Sequence, residues 1–440
     1  MLRLGAPLIL SQLALMGIGV TDSIMLGWYS VEALAASVLG HTVFFVIFIV
    51  GGGFGIAVMP LVASAIARNV TKEARRVTRM GVWLSIAYAM VVLPLFIYSE
   101  ALLVLIRQSA ELAQLASHYL VIVGFATAPA LIILVLKSYL AAQELVTFAL
   151  MTTILGFFVN IPLNQILIFG KLGLPELGVE GSAVASVLVN SFMAICLCLY
   201  AALKLPEQAL FQRIWRPDWT SMRTVIRLGL PISVTSLAEA GLFSASTLMM
   251  GWLGTIAVAA HGIALNITSL TFVIHVGLSS AATIQVGQAF GAHRLEELKR
   301  SAIMASLASG IVVGVTVVLF LSIPEFLVSL FVDPKAPELD QILTYGTLFL
   351  LMSALFSTVD AAQVMVLGIL RGIQDTSVPM GMAIVSYWLI GIPVAYLLAF
   401  PLGWEGVGLW AGLAIGLACA AIGLLARFVM LYSKLSKGSG

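Results

Sequence analysis

Long apolar runs recur along the whole chain, separated by short polar segments. A run of about 20 apolar residues is what an α-helix needs to cross the ~30 Å hydrocarbon core of a bilayer. The pattern predicts twelve such helices, near residues 5–28, 33–66, 80–106, 113–136, 147–170, 180–203, 228–252, 256–291, 301–332, 342–370, 377–400 and 406–430. The second and eighth runs are longer and carry Gly51-Gly52-Gly53 and Gly277, so bends are expected there. The fold class read from this pattern is an all-α polytopic membrane protein.

Composition agrees. The chain has 440 residues, 61% of them hydrophobic and only 10% charged, with mean hydropathy +1.10. A soluble domain carries about 25% charged residues, so a soluble protein with a single anchor is excluded. The first apolar run does not read as a cleavable signal peptide, because many similar runs follow it. Cys196, Cys198 and Cys419 lie in apolar helices without metal-ligand spacing and read as small hydrophobic residues. Charge distribution orients the chain. With the N-terminus in the cytoplasm, 19 of the 22 Lys and Arg residues face that side, leaving Arg107, Lys171 and Lys335 outside. Both termini are therefore expected in the cytoplasm.

The chain also repeats. Arg3-Leu4-Gly5-Ala6-Pro7 matches Arg227-Leu228-Gly229-Leu230-Pro231 at an offset of 224, and Ile24-Met25-Leu26-Gly27-Trp28 matches Leu248-Met249-Met250-Gly251-Trp252. Further on the offset drifts to 231, where Gln143 falls on Gln374 and Asn160-Ile161-Pro162 on Gly391-Ile392-Pro393. Six helices per repeat is an even number, so both halves enter the membrane from the same side. Two parallel, pseudo-symmetric six-helix bundles are expected, at 1–203 and 228–440, with a cytoplasmic linker at 204–227. Secondary transporters with such repeats bind solute between halves and rock one against the other.

Three carboxylates stand inside the apolar runs: Asp22, Glu239 and Asp360. An ionised acid at mid-bilayer costs on the order of 3 kcal/mol even on gentle insertion scales, and such groups usually face a cavity and handle ions or substrate. Asp22 sits roughly 9 Å from the outer end of its helix, and the other two lie closer to the middle. They break the repeat: at the repeat offsets Asp22 falls on Ser246, Glu239 on Leu15 and Asp360 on Pro129. Homologous scaffolds thus carry different chemistry. A proton or Na⁺ and a cationic substrate competing for one carboxylate is the minimum requirement for antiport. The coupling is then a difference in affinity between inward and outward states.

The duplicated plan resembles the multidrug and toxic compound extrusion (MATE) family. The resemblance rests on Val286-Gly287-Gln288-Ala289-Phe290-Gly291-Ala292, on Leu370-Arg371-Gly372-Ile373-Gln374-Asp375-Thr376, and on Asn160 and Asn164 with Phe169-Gly170-Lys171. It covers nearly the whole chain. Acids in helices seven and ten resemble the NorM-like branch. The resemblance implies a cation-coupled multidrug efflux antiporter, working by alternating access in a bacterial cytoplasmic (inner) membrane. Its cargo would be cationic or amphiphilic organic compounds, exchanged for H⁺ or Na⁺. It implies a first-lobe cation or proton site at Asp22 with Asn160 and Asn164. A second-lobe site is implied at Glu239 and Asp360, where Na⁺ is an option. Phe356 stands where sodium-coupled relatives often place a tyrosine, which tilts the coupling ion towards H⁺. Ser64-Ala65-Ile66-Ala67 stands where the first repeat normally carries Gln-x-x-Gly.

Phe243, Met249, Met250 and Gln363 are candidates for lining the substrate cavity, because adaptable thioethers and aromatics suit promiscuous sites. His41, His261 and His275 read as interior hydrogen-bonded residues, and Lys137 and Arg371 as snorkelling residues at helix ends. No Walker loop and no HExxH occurs, so an ATP-driven pump or a metalloprotease is not indicated. The chain reads as a secondary transporter rather than an enzyme, without a cofactor and without a nucleic-acid partner. It is expected to work as a monomer in the lipid bilayer. The 213–227 stretch, with Trp215 and Trp219, reads as an interfacial amphipathic segment. The alternatives are a lipid-linked precursor flippase of related architecture, which would favour a more cationic cavity, and a channel or receptor.

Overall fold

The structure, a computed structural model, describes residues 2–332, 334 and 337–438. Lys335, placed on the outer side by the charge pattern, lies outside the described residues. Within them the chain is helical and without strands, as lipid demands. A lipid-exposed backbone must satisfy its own N–H and C=O groups, and a helix does so within one segment. Among the described residues, twelve helices are long and apolar enough to span a membrane. We number them α1 (Arg3–Tyr29), α2 (Val31–Ala67), α3 (Thr71–Ile97), α4 (Ala110–Ala142), α5 (Val146–Phe169), α6 (Gly178–Lys204), α7 (Trp219–Gly251), α8 (Thr255–Gly291), α9 (Leu295–Ser322), α10 (Leu339–Gly372), α11 (Ser377–Ala399) and α12 (Glu405–Lys437).

Number and order match the hydrophobic pattern, and the ends differ for physical reasons. The α3 and α7 helices begin about nine residues before their apolar runs. The basic turns around Lys72–Arg79 and Arg223–Arg227 stay helical, since continuing the helix keeps the backbone paired. The predicted third and ninth runs are each split: α3 and α9 stop, and the short helices Ser99–Leu105 and Pro324–Ser329 follow. Pro324 sits at the start of the second of these, where its missing N–H costs nothing. The bends expected from Gly51-Gly52-Gly53 and Gly277 are not breaks. Both α2 and α8 run as uninterrupted helices of 37 residues, and Gly53 and Gly277 serve close approach.

The chain forms two compact units. One comprises Leu10–Ser233; the other comprises the residues from Val234 onward together with those up to Ile9. The boundaries therefore lie inside α1 and α7, not in the 204–227 linker. Each repeat lends the first turns of its first helix to the other unit. In the first unit, a Cβ added at Gly53 of α2 would lie 2.7 Å from the backbone nitrogen of Ser233. The Ser233 hydroxyl also donates to the Val50 carbonyl at 2.6 Å. In the second unit, a Cβ at Gly277 of α8 would lie 2.9 Å from the backbone nitrogen of Ile9. Both pairs are related by the offset of 224 found in the sequence. The Arg-Leu-Gly-x-Pro repeat is thus the imprint of a helix crossing at backbone distance, which small residues permit.

Each unit has its own core. Val58, Leu61, Val135, Leu136, Tyr139 and Leu197 are central to the first; Phe349, Phe356, Tyr387, Trp410, Leu413 and Leu417 fill the second. The linker after α6 is bound to the first unit, with Tyr139 donating to Gln208 at 2.6 Å and Trp83 to the Ile214 carbonyl at 2.8 Å.

Gly53→Val and Gly277→Val are expected to cost on the order of 1–3 kcal/mol each, because the added atoms meet backbone. Gly310→Ala on α9, where an added Cβ meets nothing within 4 Å, should be neutral or slightly stabilising. Melting temperatures in detergent check this, and equal values for all three variants would contradict the close crossings.

Candidate functional site

In the first unit, α1 carries Asp22 to a polar face of α5. Asn160 and Asn164 are four residues apart, so one helix turn aligns them. Their amides donate to Asp22 Oδ1 at 3.0 Å and 2.5 Å, and the Asn164 amide also donates to Asn160 Oδ1 at 3.0 Å. Ser186 of α6 donates to Asp22 Oδ2 at 3.3 Å. Both asparagines are fully buried, whereas Asp22 is half-buried. The three residues singled out by sequence therefore meet. Ser186 joins them unannounced, because a serine in an apolar helix gives no distinguishing signal. An ionised carboxylate accepting three side-chain donors is satisfied without a bound cation.

The second unit is built differently. Glu239 of α7 acts electrostatically on Asp360 and Arg371 of α10, and all three act on Tyr387 of α11. Gln363 of α10 lies beside Glu239. Arg371 stands about three turns beyond Asp360 on α10, and its charge acts on Glu239 and Tyr387 of the neighbouring helices. Its expected role as a snorkelling residue gives way to membership of this cluster. Two carboxylates and one guanidinium leave a formal charge of one negative unit.

These groups do not satisfy each other. Glu239 Oε1, Asp360 Oδ1, both amide atoms of Gln363 and the Tyr387 hydroxyl are buried without a hydrogen bond of ordinary geometry among the described residues. Each unpaired buried polar group costs about 1–3 kcal/mol. So many in one cluster mark a place organised for something else to complete.

Aromatic rings wall this cluster. Phe243 meets Phe356 edge-on at 5.9 Å, and Phe356 meets Trp410 edge-on at 5.5 Å. Phe356 therefore packs in the core. Tyr387, on a different helix, brings a phenol to this cluster. Sequence reading missed Tyr387 because its placement depends on seven π-helical residues, Val385–Gly391, inside α11. Such wider turns shift the register of every later side chain and recur at functional sites. Trp388 beside it donates to the Ala238 carbonyl at 3.2 Å, one residue before Glu239. On α12, Gly416 lies against Gly391, where an added Cβ would come within 2.8 Å of its Cα.

Met249 and Met250 are buried in the packed core of this unit. They stand three turns beyond Glu239 along α7, roughly 15 Å. Lys137 does not reach out to water: its amine donates to Ser11 at 2.8 Å, and Ser11 in turn lies 3.1 Å from Thr153. His275 pairs with Ser309 at 2.9 Å, His261 lies 3.4 Å from Thr247, and both are buried. His41 departs from the interior reading, being exposed beside Phe45.

Comparison with known proteins gives a consistent picture. A family model described as MatE matches residues 7–166 and 231–397. These blocks begin 224 residues apart and end 231 apart, the same drift as in the internal repeat. A probable multidrug resistance protein NorM from Agrobacterium fabrum is 43% identical over 436 residues, 98% of this chain and 94% of that protein. A protein of the same description from Rhizobium meliloti is 41% identical over 441 residues, 99% and 94% of the two chains. A crystal structure of a MATE protein in a bent conformation superimposes with a TM-score of 0.91 at 21% identity, covering 100% of this chain and 96% of that one. That likeness speaks to the fold.

The Asp22–Asn164 contact should appear as energetic coupling. In a double-mutant cycle with Asp22→Ala and Asn164→Ala, thermal or denaturant unfolding should give a coupling of about 1–3 kcal/mol. Strict additivity would mean that the short hydrogen bond contributes nothing.

Proposed function

We propose that this chain, which belongs to the MatE family, exports cationic or amphiphilic organic compounds in exchange for H⁺ or Na⁺, by alternating access across a bacterial cytoplasmic membrane. It is a membrane transporter of the multidrug efflux type rather than an enzyme. The exchange mechanism is our reading of the second-unit cluster.

One observation carries that reading: Glu239 and Asp360 each keep a buried oxygen without a partner, and with Arg371 they sum to one negative charge. A single monovalent cation neutralises that sum, whether a proton, Na⁺ or a monovalent organic cation. Two such cations cannot occupy it together without incurring an unpaired charge in a medium of low polarity. Mutual exclusion of driving ion and cargo follows. The half-buried Asp22 provides a second titratable carboxylate in the first unit, held in place by Asn160 and Asn164.

We take H⁺ as the coupling ion. A proton needs one free carboxylate oxygen, and two are present. Na⁺ needs several converging oxygens and no competing cation. Gln363 and Tyr387 add oxygens, but Arg371 stands beside Glu239. The charge asymmetry of the polar segments supports placing both termini in the cytoplasm. Both units belong to one chain, so a monomer suffices for transport.

The test is efflux of a fluorescent organic cation from proteoliposomes under pH and sodium gradients imposed separately. A pH gradient alone should drive wild-type transport. Glu239→Gln and Asp360→Asn should each reduce coupled transport about tenfold or more, equivalent to about 1.4 kcal/mol of lost differential affinity. Wild-type coupling in Asp360→Asn would refute the exchange scheme, and transport driven by sodium at equal pH would replace the proton.

A further inference from the structure

At one end of the first unit, the start of α3 and the folded linker enclose a cavity of about 540 Å³. Six cations line it: Lys72, Arg75, Arg76, Arg79, Arg213 and Arg216. Among the described residues Asp218 is the one acid on its wall, and it pairs with Arg76 at 3.4 Å. The wall is fixed. Arg79 donates to the carbonyls of Gln212 and Arg213 at 2.8 Å and 3.0 Å, holding the linker against α3. Arg213 itself adopts a left-handed backbone conformation, φ 58°, a strained state that surrounding structure must hold. Arg75 Nε and Arg79 Nε are buried without a hydrogen-bond partner among the described residues.

So many uncompensated cations do not fit the transport reading, which asks for negative charge. Nor would a merely interfacial segment need to enclose them. Guanidinium groups recognise phosphate oxygens through charge-assisted hydrogen bonds. The cavity stands where the spanning helices leave their apolar zone. Trp215 and Trp219 are exposed beside it, and tryptophan favours the level of lipid headgroups. Basic pockets at that level bind phosphorylated headgroups.

We propose that this cavity binds a phosphate-bearing anion, and that the flanking tryptophans assign it to the headgroup of an anionic phospholipid. The assignment is independent of the exchange mechanism. The lipid would tie α3 to the linker by supplying the acceptors that Arg75 and Arg79 lack.

The test uses the full-length transporter purified in neutral, lipid-free detergent. Cardiolipin, phosphatidylglycerol, phosphatidylcholine or inorganic phosphate is added, and retention is read by native mass spectrometry and by thermal shift. Cardiolipin or phosphatidylglycerol should be retained and raise the melting temperature, with phosphatidylcholine doing neither. The variant Lys72→Gln/Arg75→Gln/Arg216→Gln leaves the Arg79 ties intact and should weaken retention by about fivefold per cation, on the order of a hundredfold in total. A control with Lys299→Gln/Arg300→Gln/Lys434→Gln removes equal charge outside the cavity and should retain lipid as wild type does. Equal retention by the cavity variant and wild type would overturn the proposal, as would equal retention of phosphatidylcholine. Stabilisation by inorganic phosphate without lipid retention would overturn the lipid assignment in favour of a soluble phosphate.

Discussion

Lipid cannot solvate a polar group, and that constraint shapes both units of this protein. The backbone meets it by staying helical through twelve spans and by carrying the basic turns of α3 and α7 in helical form beyond the apolar zone. Side chains meet it locally: Lys137 turns to Ser11, His275 to Ser309, and Trp388 to the Ala238 carbonyl. Among the described residues, buried atoms such as Ser138 Oγ, Ser182 Oγ and His275 Nε2 stay without a partner elsewhere, whereas five belong to Glu239, Asp360, Gln363 and Tyr387 of one cluster.

The two units treat their acids in opposite ways. Asp22 receives three side-chain donors, two from fully buried asparagines. Glu239 has Arg371 nearby, and both Glu239 and Asp360 keep unpartnered oxygens in a cluster with Gln363 and Tyr387. The first arrangement can hold a negative charge with nothing bound. The second leaves polar atoms without partners. Equivalent scaffolds therefore support inequivalent chemistry.

What the repeat preserves is the scaffold. The glycine crossings at Gly53–Ser233 and Gly277–Ile9 obey one offset, because bringing two helix backbones together leaves no room for a side chain at the contact. The acids obey no such rule, since no packing demand fixes them in both halves. The basic cavity at the linker is likewise confined to one unit. It assembles from the start of α3 and the polar segment that joins the repeats, and that joining segment occurs once.

Sequence alone determined the number of spans, their order, the parallel duplication and the three intramembrane acids. Hydrophobic length, glycine spacing and isolated charge are each written in consecutive residues. The Asp22–Asn160–Asn164 grouping was legible as well, because i, i+4 spacing on α5 and family resemblance pointed the same way. Tertiary structure alone decided that Tyr387 enters the second-unit cluster, that Arg371 joins it, and that Met249 and Met250 do not stand with it. Those outcomes depend on a π-helical register shift, on the packing of neighbouring helices and on three turns of helix. None of these leaves a mark in the hydrophobic pattern, because the pattern records which residues avoid water and not which of them meet.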